Sequence, residues 1–182
     1  MAHVCPWWFV RSFDNRARRL FHDPEQIFGA SVRRGMHVLD VGCGAGFNTE
    51  GLARLVGPEG LVVAVDLQPR MLAMTKQRLE RGGLLARAEL IQSSARDLGL
   101  GTQRRFEFAV AFWMIHEVPN AERLFKQVRN VLEPGGSLLV SEPKLHVSGR
   151  AFEASVQAAQ RAGFTDRDRP KIALSRSVLL VR

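Results

Sequence analysis

Two carboxylates and a run of glycines raise the first chemical question. The segment Asp40-Val41-Gly42-Cys43-Gly44-Ala45-Gly46 puts three glycines in five positions directly after an apolar run. Asp66 ends the next apolar run, 24 residues beyond Gly42. Glycines let a backbone turn sharply and let a ligand approach main-chain N–H groups at close range. A carboxylate at the end of the following strand accepts two hydrogen bonds from a ribose diol. Read singly, the loop is also a plain strand-to-helix turn, and Asp66 is also a helix-capping carboxylate. Together they describe a nucleoside site.

The loop departs from the dinucleotide fingerprint, which needs Gly-x-Gly-x-x-Gly to bring a helix start up to a pyrophosphate. Its third glycine comes one residue early, at Gly46, and Phe47 stands where the fingerprint has glycine. Asp40 would repel a pyrophosphate but orients a ligand bearing an ammonium or sulfonium. Both departures favour S-adenosylmethionine over NAD. A second chemical segment is Trp113-Met114-Ile115-His116-Glu117-Val118-Pro119. His116 can take up a proton near neutral pH; Glu117 and Glu142 are the other candidate bases, and a histidine that merely bonds within its loop is the plainer alternative. The chain has no tyrosine, so no phenolate base is available. Two cysteines without a C-x-x-C pair make no zinc site, so no metal is expected; Cys43 reads as a small loop residue, and Cys5 has no assigned role.

These residues must be positioned by alternating elements. Residues 36–41 and 61–66 read as buried strands and residues 47–57 as a helix stopped by Gly57-Pro58. Pro69 opens the next helix and Gly82-Gly83 closes it. Residues 87–92 form a weaker third strand and residues 106–112 a fourth. Residues 121–132 form an amphipathic helix, followed by Pro134-Gly135-Gly136 and a fifth strand at 137–142. Residues 149–162 are another helix and 177–181 a last strand. The alternation implies an α/β, Rossmann-like, doubly wound and mostly parallel sheet of about seven strands with helices on both faces. Residues 1–34, holding Trp7, Trp8, Phe9, Phe13, Phe21 and Phe28, are expected as an aromatic helical or lid segment ahead of a core domain at 35–182.

A length of 182 residues fits one domain. The formal charge of +8 invites a nucleic-acid partner. However, residues 1–36 hold six basic and three acidic side chains and the remainder 20 and 15, so the excess is spread rather than clustered. It reads mainly as a solvated surface. No apolar run reaches the roughly 20 residues of a membrane span, so a soluble cytoplasmic domain is expected. The sequence leaves oligomeric state open.

The residues around the loop resemble motif I of class I S-adenosylmethionine-dependent methyltransferases. Val63-Ala64-Val65-Asp66 with Met71-Leu72 resembles their second motif. Residues 106–119 are similar to their fourth-strand motif, and Leu132-Glu133-Pro134-Gly135-Gly136 to their turn into strand five. The closest subgroup in character is the small-molecule type related to ubiquinone/menaquinone-biosynthesis methyltransferases. The resemblance implies S-adenosyl-L-methionine as cofactor. Gly42, Cys43, Gly44 and Gly46 would line its methionine part, with Asp40 near the amino group. Asp66 would hold the ribose, Leu67 would pack on the adenine, and Ser94, Ala95 and Phe112 would complete the pocket. Ser94 stands where the family usually has an aspartate, with Asp97 as a nearby substitute. His116 and Glu117 are the candidate catalytic residues; Trp7, Trp8, Trp113, Met114 and Glu142 are candidate substrate contacts.

The N-terminal aromatics are read two ways, as a hydrophobic lid over the site or as packing against the sheet; Phe21 and Phe28 are assigned to packing and Trp7 or Trp8 to the pocket. Arg16, Arg18 and Arg19 would then meet an anionic substrate or point into water. The expected activity is methyl transfer to a small, partly apolar molecule. The alternatives are an RNA or protein methyltransferase, a non-catalytic S-adenosylmethionine-binding module and, disfavoured by Phe47, an NAD-dependent oxidoreductase.

Overall fold

The computed structural model describes residues 18, 21–101 and 103–182. Trp7, Trp8, Cys5, Arg16 and Arg19 lie outside the described residues. Seven strands form one sheet: β1 (His37–Val41), β2 (Leu61–Asp66), β3 (Ala88–Gln92), β4 (Phe106–Phe112), β5 (Leu132–Pro143), β6 (Thr165–Asp168) and β7 (Ser175–Val181). Their order is β3-β2-β1-β4-β5-β7-β6. The first five strands run parallel, and β7 inserts antiparallel between β5 and β6. The helices are α1 (Pro24–Phe28), α2 (Phe47–Val56), α3 (Pro69–Arg81), α4 (Ala121–Val131) and α5 (Gly149–Arg161). β1 pairs with both β2 and β4, so the chain's direction of travel across the sheet reverses between β1 and β4. In open α/β sheets ligands bind in the crevice above that reversal, at the carboxyl ends of the strands.

Side chains alternate across the strands, and this alternation sorts the chemistry. Val38, Val62, Phe108 and Val110 face a core with Phe28, Leu52, Val56 and Leu79 of α1 to α3. Leu39, Val41, Ala109 and Val140 face the other core with Phe125, Val128, Phe152 and Val156 of α4 and α5. Asp40 and Asp66 therefore fall on the α2 side, and Glu142 falls on the α4–α5 side.

Four features differ from the sequence expectation. β5 begins at Leu132 rather than residue 137: Leu132 pairs with Phe106, and the register then jumps so that Ser137 pairs with Phe108. The Pro-Gly-Gly segment loops out inside one strand instead of preceding it. β6 was not anticipated, because its sequence Thr-Asp-Arg-Asp is wholly exposed and carries no apolar period; a short charged strand suits a sheet edge. Phe21, assigned to packing, is 58% exposed, whereas Phe28 is fully buried. The short helix α1 is part of the core: Asp23 caps it through Oδ1 to the Glu25 N–H, and Phe28 stacks edge-on against Phe108.

α1 approaches α2 so closely that a Cβ placed on Gly51 would sit 2.2 Å from Pro24 Cβ. Glycine in a helix interior normally costs about 0.5–1 kcal/mol relative to alanine. Here the contact outweighs propensity. Gly51→Ala is expected to destabilise the protein by about 1–3 kcal/mol, read as a lower denaturation midpoint; a rise in stability would show that the α1–α2 contact is not as close as described.

Candidate functional site

At the carboxyl edge of β1 the chain turns through the glycine loop into α2. Gly42, Gly44 and Gly46 all have positive φ, at 68°, 55° and 79°, a region open to glycine at little steric cost. Position 44 faces open space, since a Cβ there would meet nothing within 4 Å. Asp66, 8% exposed, closes the loop from the next strand. Its Oδ2 accepts from the Gly44 N–H at 2.9 Å and its Oδ1 from the Gln68 N–H at 2.8 Å. A carboxylate has roughly four lone-pair sites, so these backbone bonds leave acceptor capacity for a hydroxyl. Burial raises its pKa, and the backbone donors oppose that rise.

Asp40 is 1% exposed and accepts from Thr49 Oγ1 at 2.7 Å. Burial pushes its pKa up to about 7; Thr49 opposes the rise, and the nearby Asp66 adds to it. An additional residue, missed in the sequence, stands at the start of the helix that follows the glycine loop. The Asn48 side-chain amide oxygen, in the first turn of α2, is buried with no hydrogen-bond partner among the described residues. An orphaned buried acceptor of this kind costs about 1–3 kcal/mol until a donor reaches it. A buried carboxylate, an unsatisfied acceptor and an open glycine cradle fit a ligand with a cationic ammonium end and a ribose. Nothing in the pattern Gly46-Phe47-Asn48 distinguishes this asparagine from an ordinary helix-start residue.

Cys43 is buried, with Sγ 3.8 Å from Thr75 Oγ1, and burial near Asp40 and Asp66 pushes its thiol well up. A buried thiol held in its protonated form is a poor nucleophile. Leu67 is 39% exposed at the site's rim. The Ser94 hydroxyl accepts from the Asp97 and Arg96 N–H groups at 3.0 and 3.3 Å, and Ala95 is exposed. Asp97 Oδ1 takes the Gly99 N–H at 2.9 Å. Both polar side chains thus organise their own loop.

The second group sits above the ends of β4 and β5. Trp113 takes φ 59°, a left-handed conformation rare outside glycine. It is held by its N–H to the Ser141 carbonyl at 2.7 Å and by Nε1–H to Ser175 Oγ at 2.9 Å. The chain then passes through a short helical turn, Ile115–Glu117, over a single buried carboxylate. Glu142, 1% exposed, accepts from the N–H groups of Met114, Ile115 and His116 at 3.1, 2.9 and 3.3 Å. It also meets His116 Nδ1 at 2.5 Å. Glu142, read in the sequence as a substrate contact or base, lies instead behind His116. That hydrogen bond raises the His116 pKa against the opposing effect of burial. With Nδ1 committed to Glu142, the other ring nitrogen, Nε2, lies 3.9 Å from Glu117 Oε1, beyond hydrogen-bond distance. The arrangement is a histidine held in one orientation by a buried carboxylate.

A histidine that sequence reasoning passed over completes the wall. His22 is 2% exposed, with Nε2 2.7 Å from the Ala173 carbonyl oxygen and its ring edge-on to Phe112 and Trp113. It ties the N-terminal segment to the β6–β7 connection. Burial lowers its pKa, which suits a neutral ring donating to a carbonyl. Arg18 lies 4.4 Å over the Phe47 ring and 5.6 Å from that of Trp113, between the two groups.

Comparisons with known proteins bear on the family and the fold. A family described as "Methyltransferase domain" matches residues 38–136. The ubiquinone/menaquinone biosynthesis C-methyltransferase UbiE of Cronobacter sakazakii is 33% identical over 128 residues, 69% of this chain and 51% of that protein. The chain thus spans about half the length of the curated relatives it matches. Among solved structures, a SAM-dependent methyltransferase from Aquifex aeolicus superposes with a TM-score of 0.87 at 22% identity, over 98% of this chain and 99% of that one. An S-adenosylmethionine-dependent methyltransferase from Mesorhizobium loti gives 0.69 at 18% identity, over 87% and 98%. At these identities the structural likeness establishes the fold.

Proposed function

From the premise that the chain belongs to the class I S-adenosylmethionine-dependent methyltransferases, we propose that it transfers a methyl group to a small, partly apolar molecule, with His116 as the base. The observation that carries this reading is the buried Glu142 holding both the 114–116 turn and His116 Nδ1 at the end of β4. When bound, S-adenosylmethionine supplies a methyl group activated by a sulfonium.

This chain's own residues do the rest. Asp66 holds the ribose hydroxyls. Asp40 and the Asn48 amide oxygen take the ammonium end, which relieves two buried groups at once. The curated relatives are named C-methyltransferases, and a carbon acceptor loses a proton on methylation. His116 Nε2 takes that proton, while the Glu142 carboxylate stabilises the imidazolium through Nδ1–H. Phe112, Trp113 and Met114 exclude water and align the acceptor, a contribution that depends on position.

Two expected outcomes concern the nucleoside end. Asp66→Ala weakens S-adenosylhomocysteine by about 2 kcal/mol, roughly 30-fold, the effect of losing charge-assisted hydrogen bonds; a calorimetric change below about threefold would remove Asp66 from the ribose. Asp40 makes the affinity pH-dependent. Its pKa near 7 leaves it largely protonated below neutrality, and an ammonium ligand binds its ionised form. Binding therefore releases a proton, and affinity rises about tenfold from pH 6 to pH 8. Asp40→Asn flattens that profile; a flat profile in the unaltered protein would contradict the pairing.

The acceptor class is tested with tritiated-methyl S-adenosylmethionine and a cell extract separated into small molecules, RNA and protein. The label is expected in the small-molecule fraction and in its organic-extractable part. Label confined to RNA or protein would overturn the proposal.

A further inference from the structure

A cavity of about 710 Å³ lies apart from the glycine loop, between the chain after β5, the first turn of α5 and the connection from β6 to β7. Small-molecule sites occupy about 300–1,000 Å³. Phe152 and Ile172 make its walls apolar; Lys144, Lys171 and Arg176 make it cationic. Arg169 and Glu153 also line it and are ion-paired at 2.5 Å; Asp166 shares the same guanidinium at 2.9 Å, so this cluster has two carboxylates for one cation. Among the described residues, Lys144, Lys171 and Arg176 take part in no ion pair. Three cations thus share one cavity and outnumber the single carboxylate charge that Arg169 leaves uncompensated.

The cavity adjoins the methyl-transfer site. Ser175, on its wall, accepts the Trp113 Nε1–H, and Ala173 carries the carbonyl bonded to His22. Arg176 stands opposite Glu142 in the β5–β7 ladder, on the same face of the sheet and about 5 Å away between Cα atoms. At its mouth the Lys144 N–H bonds the Leu174 carbonyl at 2.9 Å, joining two loops that present Leu145, 88% exposed, and Leu174, 53% exposed.

We propose that this cavity holds the acceptor, and that the acceptor is an amphiphilic anion. Its apolar body lies on Phe152 and Ile172, and its carboxylate-, sulfonate- or phosphate-type group is held by Lys144, Lys171 and Arg176. The inference rests on the methyltransferase reading and names the acceptor's chemical class.

The test uses two fluorescent probes with one aromatic body, 8-anilinonaphthalene-1-sulfonate and the neutral N-phenyl-1-naphthylamine, titrated into the full chain. Lys171→Ala/Arg176→Ala is expected to weaken the sulfonate about tenfold or more, as charge-assisted contacts are lost. The neutral probe and S-adenosylhomocysteine should each change less than twofold. Lys144→Ala, in an exposed loop, should weaken the sulfonate about threefold and keeps the test readable if the double variant fails to fold. Sulfonate binding indifferent to these charges, an equal loss for the neutral probe, or displacement of the sulfonate by S-adenosylhomocysteine would each overturn the pocket. Failure of the unaltered protein to bind S-adenosylhomocysteine would overturn the methyltransferase reading, and the acceptor role with it, whatever the sulfonate does.

Discussion

Glu142→Ala should lower the melting temperature by roughly 6–12 °C, equivalent to about 3 kcal/mol in a domain of this size. The carboxylate is 1% exposed and accepts three backbone N–H groups and His116 Nδ1. Alanine leaves those donors without their acceptor, and each orphaned buried donor costs about 1–3 kcal/mol. Glu142→Gln keeps one acceptor oxygen and should lose about half as much. Thermal unfolding followed by circular dichroism measures both; a shift below 2 °C for the alanine variant would mean that the turn does not depend on this carboxylate.

The second large effect is kinetic. Once an acceptor is in hand, His116→Ala should lower kcat by about 100-fold or more, the usual contribution of a positioned base, while S-adenosylhomocysteine affinity stays within twofold. The working form is the neutral imidazole. Because Glu142 raises the His116 pKa, kcat/KM rises with pH through a limb above the ordinary histidine range, and acid removes activity. Glu142→Gln removes the charge that lifts the pKa and moves the limb to lower pH. A His116→Ala variant with undiminished kcat would leave His116 a loop residue only.

The fold was legible wherever local pattern and tertiary role coincide. The β-branched run Leu61–Asp66, and Phe106–Phe112 with its apolar continuity, appear as strands with the same bounds that the sequence implied. Pro69 opens α3 where helix-start chemistry put it. β6 was illegible because an exposed edge strand needs only a backbone partner, supplied by β7. The start of β5 was misjudged because Pro134-Gly135-Gly136 carries every turn signal, yet long-range pairing of Leu132 with Phe106 extends the strand past it.

The site was legible in part for the same reason. Asp40 and Asp66 follow from strand ends, which local sequence marks. Glu142, His22 and Asn48 take their places from contacts across the chain: Glu142 meets a turn 26 to 28 residues earlier, and His22 meets a carbonyl 151 residues later. No spacing encodes such a meeting. Trp7 and Trp8 remain expectations outside the described residues.

The central claim is that the glycine loop, Asp40 and Asp66 form an S-adenosylmethionine site. Its most direct test is calorimetric titration of the full chain with S-adenosylhomocysteine and, separately, NADH. One equivalent of S-adenosylhomocysteine should bind, with proton release near pH 7 and no measurable heat from NADH. Tight NADH binding with no S-adenosylhomocysteine binding would contradict it.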